Sequence, residues 1–411
     1  MPMRLEPELS DDAMPDASEA MPTPAADHIY RQRFSVSYDY PVIFTRDLFA
    51  PANPALRDAL GPGEQAHKLV VFVDQGVAAA QADLPARIAA YASASAGRID
   101  LITPAEIIPG GEACKNDPAL VERLQRRLLD LGMDRHGFVA AVGGGAFLDL
   151  IGYVAATLHR GIRHIRVPTT VLAQNDSGVG VKNGVNAFGQ KNLLGTFVPP
   201  FAVLNDSRFL DLLDIRDRRA GMAEAVKVAL IRDAAFFAWL EHHGEDLAAF
   251  RPSAVDRLIR RCAELHMIQI ASGGDPFERG SARPLDFGHW AAHKIEMLSD
   301  HALRHGEAVA IGIALDTHYS VLSGLLPSGE DDRVCALLTK LGLPLYHPVL
   351  STRDSSGDLG VLRGLRDFRE HLGGQLTITL LRAIGTGIEV HEMDERLIVE
   401  TVGWLKDKAA A

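Results

Sequence analysis

Two short runs in the first half of the chain, Lys68-Leu-Val-Val-Phe-Val-Asp74 and Gly137-Phe-Val-Ala-Ala-Val142, are apolar at every residue between their ends. A strand with one wet face alternates apolar and polar residues, so an unbroken apolar run needs cover on both faces. Leu120 to Leu131, between the two runs, carries helical spacing, and Ile162 to Val167 and Phe201 to Leu204 add further strands. Strands alternating with amphipathic helices predict parallel βαβ units. Shorter β-type runs, Phe34 to Tyr40 and Pro41 to Thr45, open this half. Beyond about Asp206 the pattern changes to helices, over Arg218–Ile231, Ala234–His242, Ala254–Ser272, Leu285–Ser299 and Glu307–Leu322, with a late strand at Leu376–Leu381. The expected layout is an α/β domain over residues 29–205 and a mainly α-helical domain over 206–411, with no internal repeat.

Two domains also suit a chain of 411 residues, too long for one ordinary core. Residues 1–28 are rich in Pro, Ala, Asp and Glu without a sustained apolar period, and read as a tail that cannot offset its ordering entropy. A net charge of -11 argues against a nucleic-acid surface, which needs clustered cations. A small anionic substrate remains compatible with it. The three cysteines, Cys114, Cys262 and Cys335, are widely spaced, odd in number and outline no disulfide framework. No run of 18 apolar residues suggests a membrane span, and no basic-then-apolar leader opens the chain, so a cytoplasmic location is expected.

The first chemical signal is Val142-Gly143-Gly144-Gly145-Ala-Phe-Leu-Asp149, directly after a strand and opening a helix. Glycines let backbone approach a ligand closely, and free N–H groups at a helix start suit a pyrophosphate. The pattern departs from the usual Gly-x-Gly-x-x-Gly fingerprint, and alone it is as readily a tight turn with no ligand. Asp74, at a strand end, is a candidate for a ribose hydroxyl, though an exposed strand-end acid is commoner. Gly110-Gly-Glu112-Ala-Cys-Lys115 is a second cofactor loop or a plain polar turn. Together these features favour a nucleotide on a Rossmann-like domain.

The second signal is dispersed. Glu224 and Lys227 share one face of an apolar helix at i and i+3, in Gly221-Met-Ala-Glu-Ala-Val-Lys227. Asp286-Phe-Gly-His289-Trp-Ala-Ala-His293 stacks two imidazoles at i and i+4, and His305-Gly-Glu307 opens another helix. One glutamate and two histidines make a three-ligand set that leaves room for a substrate oxygen or water, as catalytic zinc requires. Each residue alone is more readily explained as a core or capping histidine, or as Glu224 paired with Lys227.

From about Val142 to Gly312 the sequence resembles the 3-dehydroquinate synthase branch of the sugar phosphate cyclases. The resemblance lies in VGGGAFLDLIGYVAATLHRGI, VPTTVLAQNDSGVGVKNGVNAFGQKNLLGTF, AGMAEAVKVALI, FGHWAAHKIE and HGEAVAIGI. It implies an NAD-dependent, divalent-metal-dependent lyase, with zinc or cobalt, that converts a seven-carbon ketose 7-phosphate into a carbocycle. The implied sequence is transient oxidation, phosphate elimination, reduction and intramolecular aldol closure. Glu224, His289 and His305 match the metal ligands. Lys182, Lys191, Asn192, Lys227 and Arg160 match substrate and phosphate contacts, His293 an active-site histidine that is not a ligand. Gly144, Gly145, Asp149, Thr169, Thr170 and Asp176 match NAD contacts, with Asp74, Glu112, Lys115 and Lys182. A homodimer is also implied.

The chain departs from the housekeeping enzyme in several places. Gly180-Val-Lys-Asn183 stands for Gly-Gly-Lys-Thr, Asp286 for an asparagine, Ile268 for a lysine seven residues before Asp275, and Asp367-Phe-Arg369 for Asp-Lys-Lys. Arg283, a further candidate anion contact, is one residue closer to His289 than expected. These changes remove cations and add an anion where a substrate carboxylate would sit, a Coulomb cost in a dry site. Sedoheptulose 7-phosphate, which has no carboxylate, is therefore the alternative substrate. Cyclases of that kind share Asp-Phe-Gly-His but usually lack the histidine at position 293. The rivals are an iron-type alcohol dehydrogenase, against which the lysine set argues, and a non-catalytic sugar-phosphate or nucleotide binding protein.

Overall fold

The computed structural model describes residues 30–273, 277, 284–300, 302–371 and 375–410. The tail expected over 1–28, Asp275 and the candidate Arg283 lie outside the described residues. The continuous apolar runs become the centre of a parallel sheet. Its strands are β1 (Val42–Thr45), β2 (His67–Asp74), β3 (Ile99–Leu101), β4 (Glu106–Ile108), β5 (Phe138–Gly143) and β6 (Arg163–Pro168), with β9 (Ala202–Asp206) reached after a hairpin of β7 (Lys182–Ala187) and β8 (Gln190–Phe197). The order is β1-β9-β6-β5-β2-β3, with β4 also on β2, and every pairing is parallel.

Alternate residues of β2 and β5 face opposite cores. Val70, Phe72, Val139 and Ala141 pack with helices α1 (Pro118–Asp130) and α2 (Gly145–Thr157). Leu69, Val71, Val73, Phe138 and Ala140 pack with Leu84, Ile88 and Tyr91 on the other face. Cover on both sides is why these strands lack the alternation of a half-wet sheet.

The later part is helical: α3 (Met222–Arg232), α4 (Pro252–Ser272), α5 (His289–Leu298) and α6 (His305–Leu322) share one core, joined by a β10–β11 hairpin (Ile378–Ala383, Thr386–Val390). Every residue of α3 from Met222 to Ile231 is buried, which marks a central helix rather than a surface one. Residues 40–411 form one compact unit.

Some expectations shift. Phe34 to Tyr40 alternates like a strand but forms none, and Phe34, Val36 and Tyr38 are exposed. The helix expected over Arg218–Ile231 is two, Ile215–Ala220 and α3, parted at Gly221. A Cβ on Gly221 would stand 2.4 Å from the Leu172 backbone nitrogen, so this contact admits only glycine. The β7–β8 hairpin went unread, because Lys182–Asn186 and Gln190–Thr196 are polar or glycine-rich without a buried period.

Candidate active site

The glycine turn forms at the C-terminal end of the central strand β5, where open parallel sheets bind ligands. Gly143 ends β5, Gly144 caps α2, and Gly145 begins it. A Cβ on Gly145 would lie 2.5 Å from Ser177 Oγ, so the helix start sits tightly under the loop after β6. In that loop Thr169 N–H donates to Gly143 O (3.0 Å), and Thr170 Oγ1 accepts from Ala173 N–H (3.1 Å). A single π-helical turn, Ala173–Ser177, follows and carries Asp176. Such turns recur at functional sites.

Asp149, one turn into α2, pairs with Lys115 at 2.8 Å, and this buried lysine also donates to Asn192 Oδ1. Glu112 lies beside them, accepting from Asn186 Nδ2 at 3.3 Å. Asp74 stands at the end of β2, next to β5 in the sheet, and accepts from Gly76 N–H (2.7 Å). The two glycines, both threonines, Asp74, Glu112, Lys115 and Asp149 thus gather along adjoining strand ends.

The second cluster is built on helices. Glu224 is fully buried on α3, with Lys227 one turn on holding its Oε2. Glu224 Oε1 has no hydrogen-bond partner and stands 3.6 Å from both His289 Nε2 and His305 Nε2. The three ligand atoms lie within 4.8 Å of one another. Two ligand atoms each about 2.1 Å from one ion at a tetrahedral angle stand about 3.4 Å apart, so this donor set fits a divalent cation. An orphaned buried carboxylate oxygen is otherwise costly.

Both imidazoles are aimed by their far nitrogens. His289 Nδ1 donates to Phe287 O (3.1 Å), and His305 Nδ1 lies 3.2 Å from Glu296 Oε2. Each arrangement leaves Nε2 as the nitrogen turned toward Glu224. The start of α6 is pinned by Glu307, which accepts from Arg304 N–H (2.9 Å) and takes a two-pronged ion pair from Arg216. His293 is exposed, its ring 5.4 Å from that of His289 and 6.0 Å from that of His305.

The charges are strongly coupled. Burial opposes ionisation of Glu224, but Lys227 and His305 outweigh it and hold the carboxyl at about 2. Burial likewise disfavours the Lys227 ammonium, yet Glu224, Asp176 and Asp286 together raise its pKa. Burial, then Lys227 and His293, keep His289 well below the ordinary histidine value. His305 is raised to about 9, Glu296 and Glu224 overcoming its burial. Burial and Glu224 oppose the Asp176 charge, but His266 (2.8 Å) and Lys227 keep its pKa low.

Two consecutive residues on β8 join the clusters. Asn192 holds Lys115 on the nucleotide side, and Lys191 lies 3.4 Å from Glu296 on the metal side and 3.9 Å from Glu112. Lys182 starts β7, opposite Phe197. Asp286 closes the short 3-10 turn before α5. Arg160 is set apart: it is exposed beyond the C-terminal end of α2, about 20 Å of helix from the glycine turn. Within one copy of the chain it does not join either cluster. Of the other departures, Ile268 is exposed and Asp367 pairs with Lys294 at 2.8 Å.

Sequence reasoning missed Glu296, Asn186 and His266. The His293-x-x-Glu296 spacing was a usable signal, since it puts the carboxylate one turn beyond a site histidine. Nothing local marked His266 or Asn186.

Residues 105–220 match the 3-dehydroquinate synthase N-terminal family model, and residues 221–356 match the 3-dehydroquinate synthase C-terminal model. A 3-dehydroquinate synthase from Acidithiobacillus ferrooxidans is 37% identical over 297 residues, covering 72% of this chain and 79% of the relative. A 2-epi-5-epi-valiolone synthase from Streptomyces glaucescens is 35% identical over 359 residues, covering 87% of this chain and 88% of the relative. The solved 2-epi-5-epi-valiolone synthase ValA from Streptomyces hygroscopicus, with NAD+ and Zn2+ bound, superposes with a TM-score of 0.81 at 31% identity. That match covers 92% of this chain and all of the other. The fold is that of a two-part, 3-dehydroquinate synthase-like cyclase. The chain belongs to the 3-dehydroquinate synthase family.

Proposed function

We propose that this protein is an NAD- and divalent-metal-dependent sugar phosphate cyclase, a carbon–oxygen lyase that closes a seven-carbon ketose 7-phosphate into a carbocycle with loss of phosphate. The observation that carries the reading is Glu224 Oε1 facing the Nε2 atoms of His289 and His305 at 3.6 Å each, with Lys227 on the same carboxylate. When bound, NAD supplies transient hydride removal and return, and the divalent ion supplies Lewis-acid polarisation.

The chain's own groups do the rest. The N–H groups at the start of α2 offer a seat for pyrophosphate, with Asp149 and Lys115 beside it. Glu224, His289 and His305 hold the metal. Lys182, Lys191, Asn192 and Lys227 hold the anionic substrate and favour departure of phosphate electrostatically. His293, exposed and with its ring beside those of both ligand histidines, is the further group assigned to contact substrate. Zinc or cobalt suits one carboxylate and two imidazoles, and zinc accompanies NAD+ in the ValA structure.

One observation favours sedoheptulose 7-phosphate over the carboxylated heptulosonate. Asp286 bears on Lys227 with an added negative charge, where an uncharged polyol is tolerated better than a carboxylate. The relatives carry both names, 3-dehydroquinate synthase and 2-epi-5-epi-valiolone synthase. A cytoplasmic homodimer is the expected setting, checked by light scattering of the purified protein and by cell fractionation. No helix among the described residues is long and apolar enough to cross a membrane.

The test offers 3-deoxy-arabino-heptulosonate 7-phosphate and sedoheptulose 7-phosphate separately, with NAD and metal bound. Inorganic phosphate should appear from one of them without net NADH. An alcohol dehydrogenase would instead accumulate NADH, and a binding protein would release nothing. Silence with both substrates overturns the reading.

A further inference from the structure

Glu296 is a buried carboxylate that the reaction as described does not use. It projects from α5, the helix that also bears His289 and His293, and its side chain is 7% exposed. A buried carboxylate is costly unless both oxygens are matched. Here each oxygen has its own cation or donor: Oε1 faces Lys191 Nζ at 3.4 Å, and Oε2 faces His305 Nδ1 at 3.2 Å. Burial opposes its charge, and His305, Lys191 and His293 together overcome that opposition.

The geometry has a directional consequence. With one oxygen facing Lys191, the carboxylate presents the other to His305 and has little freedom to turn away. With its Nδ1 proton held there, His305 has Nε2 as the nitrogen turned to Glu224 Oε1, at 3.6 Å, where it would meet a bound ion. His289 gets the same service from a main-chain carbonyl, Phe287 O, in the segment just before α5. His305, opening a different helix, has only a side chain from across the helix pair. Of the two ligand histidines it is therefore the one whose aim a point substitution can remove.

We propose that Glu296 is a positioning residue that fixes the tautomer and direction of His305 as a metal ligand, with Lys191 steadying its second oxygen. The inference rests on the metal-site reading above, and its test is arranged to fail separately from it. Outer carboxylates of this kind are worth about 10–100-fold in metal affinity.

The experiment titrates zinc into metal-free, full-length protein against a chromophoric chelator, for wild type, His289→Ala, Glu296→Gln and Glu296→Ala. Wild type should bind one zinc tightly and His289→Ala should not. Glu296→Gln should weaken zinc about tenfold, because the amide oxygen still accepts from Nδ1–H but without charge. Glu296→Ala should weaken it toward 100-fold. The second readout is the histidine nitrogen NMR of zinc-loaded protein. Wild type should show His305 with a strongly downfield Nδ1–H, moved upfield in Glu296→Gln and lost in Glu296→Ala. A merely structural role would lower the melting temperature but leave both readouts unchanged in folded protein.

If Glu296→Ala does not fold, the nearly isosteric Glu296→Gln decides. Folded variants that bind zinc within twofold of wild type, with the His305 signal unmoved, overturn the proposal and leave the metal site standing. A wild type that binds no zinc overturns both.

Discussion

Gly312 on α6 lies against Gly288, the residue that caps α5: a Cβ added at Gly312 would stand 2.0 Å from the Gly288 carbonyl oxygen. Gly288 itself sits at φ 77°, a left-handed conformation that glycine adopts without strain. The crossing lets the His289 end of one helix approach the helix that starts at His305, with the two rings 5.5 Å apart. Gly312→Ala must push these backbones apart. It should cost about 1–3 kcal/mol in urea unfolding and weaken zinc binding as well. Gly403, exposed on the C-terminal helix Glu395–Ala410 with nothing within 4 Å of its built Cβ, is the control. Gly403→Ala should stabilise by about 0.5–1 kcal/mol without touching metal affinity. Equal effects at the two positions would refute the packing argument.

Lys227 and a bound cation compete for the same carboxylate. Lys227→Met should therefore separate two properties that usually fall together. Phosphate release should drop about 10²–10³-fold, the scale of losing one well-placed electrostatic group. Zinc affinity should rise at least about tenfold, since a buried positive charge beside the site is gone. The metal-free variant, with Glu224 left to His305 alone, should be less stable by about 3 kcal/mol and recover when zinc is added. Chelator competition and melting curves with and without zinc read all three. A variant that loses both activity and zinc would contradict the competition.

The parallel sheet was legible in the sequence because its central strands are covered twice. Val70, Phe72, Val139 and Ala141 serve one core while their neighbours serve the other, and only such burial writes an unbroken apolar run. The alternation of Phe34 to Tyr40 carried the opposite lesson: a period of two states which residues share a face, and does not supply a partner strand. The β7–β8 hairpin, although it carries Lys182, Lys191 and Asn192, stayed hidden because its order comes from ladder bonds and from fixed polar contacts such as Asn192 N–H to Asn186 Oδ1. Glu224, His289 and His305 were each ambiguous alone, and only the ordered resemblance around them singled them out. For Glu296 the spacing from His293 could mark only its face of the helix; its role comes from Lys191 on a distant hairpin reaching one oxygen while His305 faces the other.

Asp286 offers a test of substrate choice. Its charge bears on Lys227 together with those of Glu224 and Asp176. Asp286→Asn removes one negative charge from the substrate side without changing the shape of the residue. The ratio of kcat/KM for the carboxylated heptulosonate phosphate to that for sedoheptulose 7-phosphate should rise by about tenfold or more. An unchanged ratio would retire the charge argument while leaving the assignment to the family intact.

Outside the site, His164 makes its own contribution to acid sensitivity. His164 is buried within β6, and its Nε2 has no hydrogen-bond partner. Burial first, and then the buried Arg166 guanidinium, hold its pKa well below the ordinary value. The unfolded chain binds a proton at this histidine below about pH 6.5, whereas the folded chain does not. Fewer protons bound in the folded state means that stability falls as pH falls, from about 6.5 down toward the depressed folded value. The contribution is fully present above 6.5. Between pH 6.5 and 5.5 the loss from this one group should be about 1 kcal/mol. His164→Asn removes the titrating group, so the gap in unfolding free energy between wild type and variant should narrow by about that amount over the same window. Urea unfolding of metal-free protein at pH 7.5, 6.5 and 5.5 measures it. A gap that stays constant across the three pH values would show that the imidazole takes up its proton inside the folded sheet.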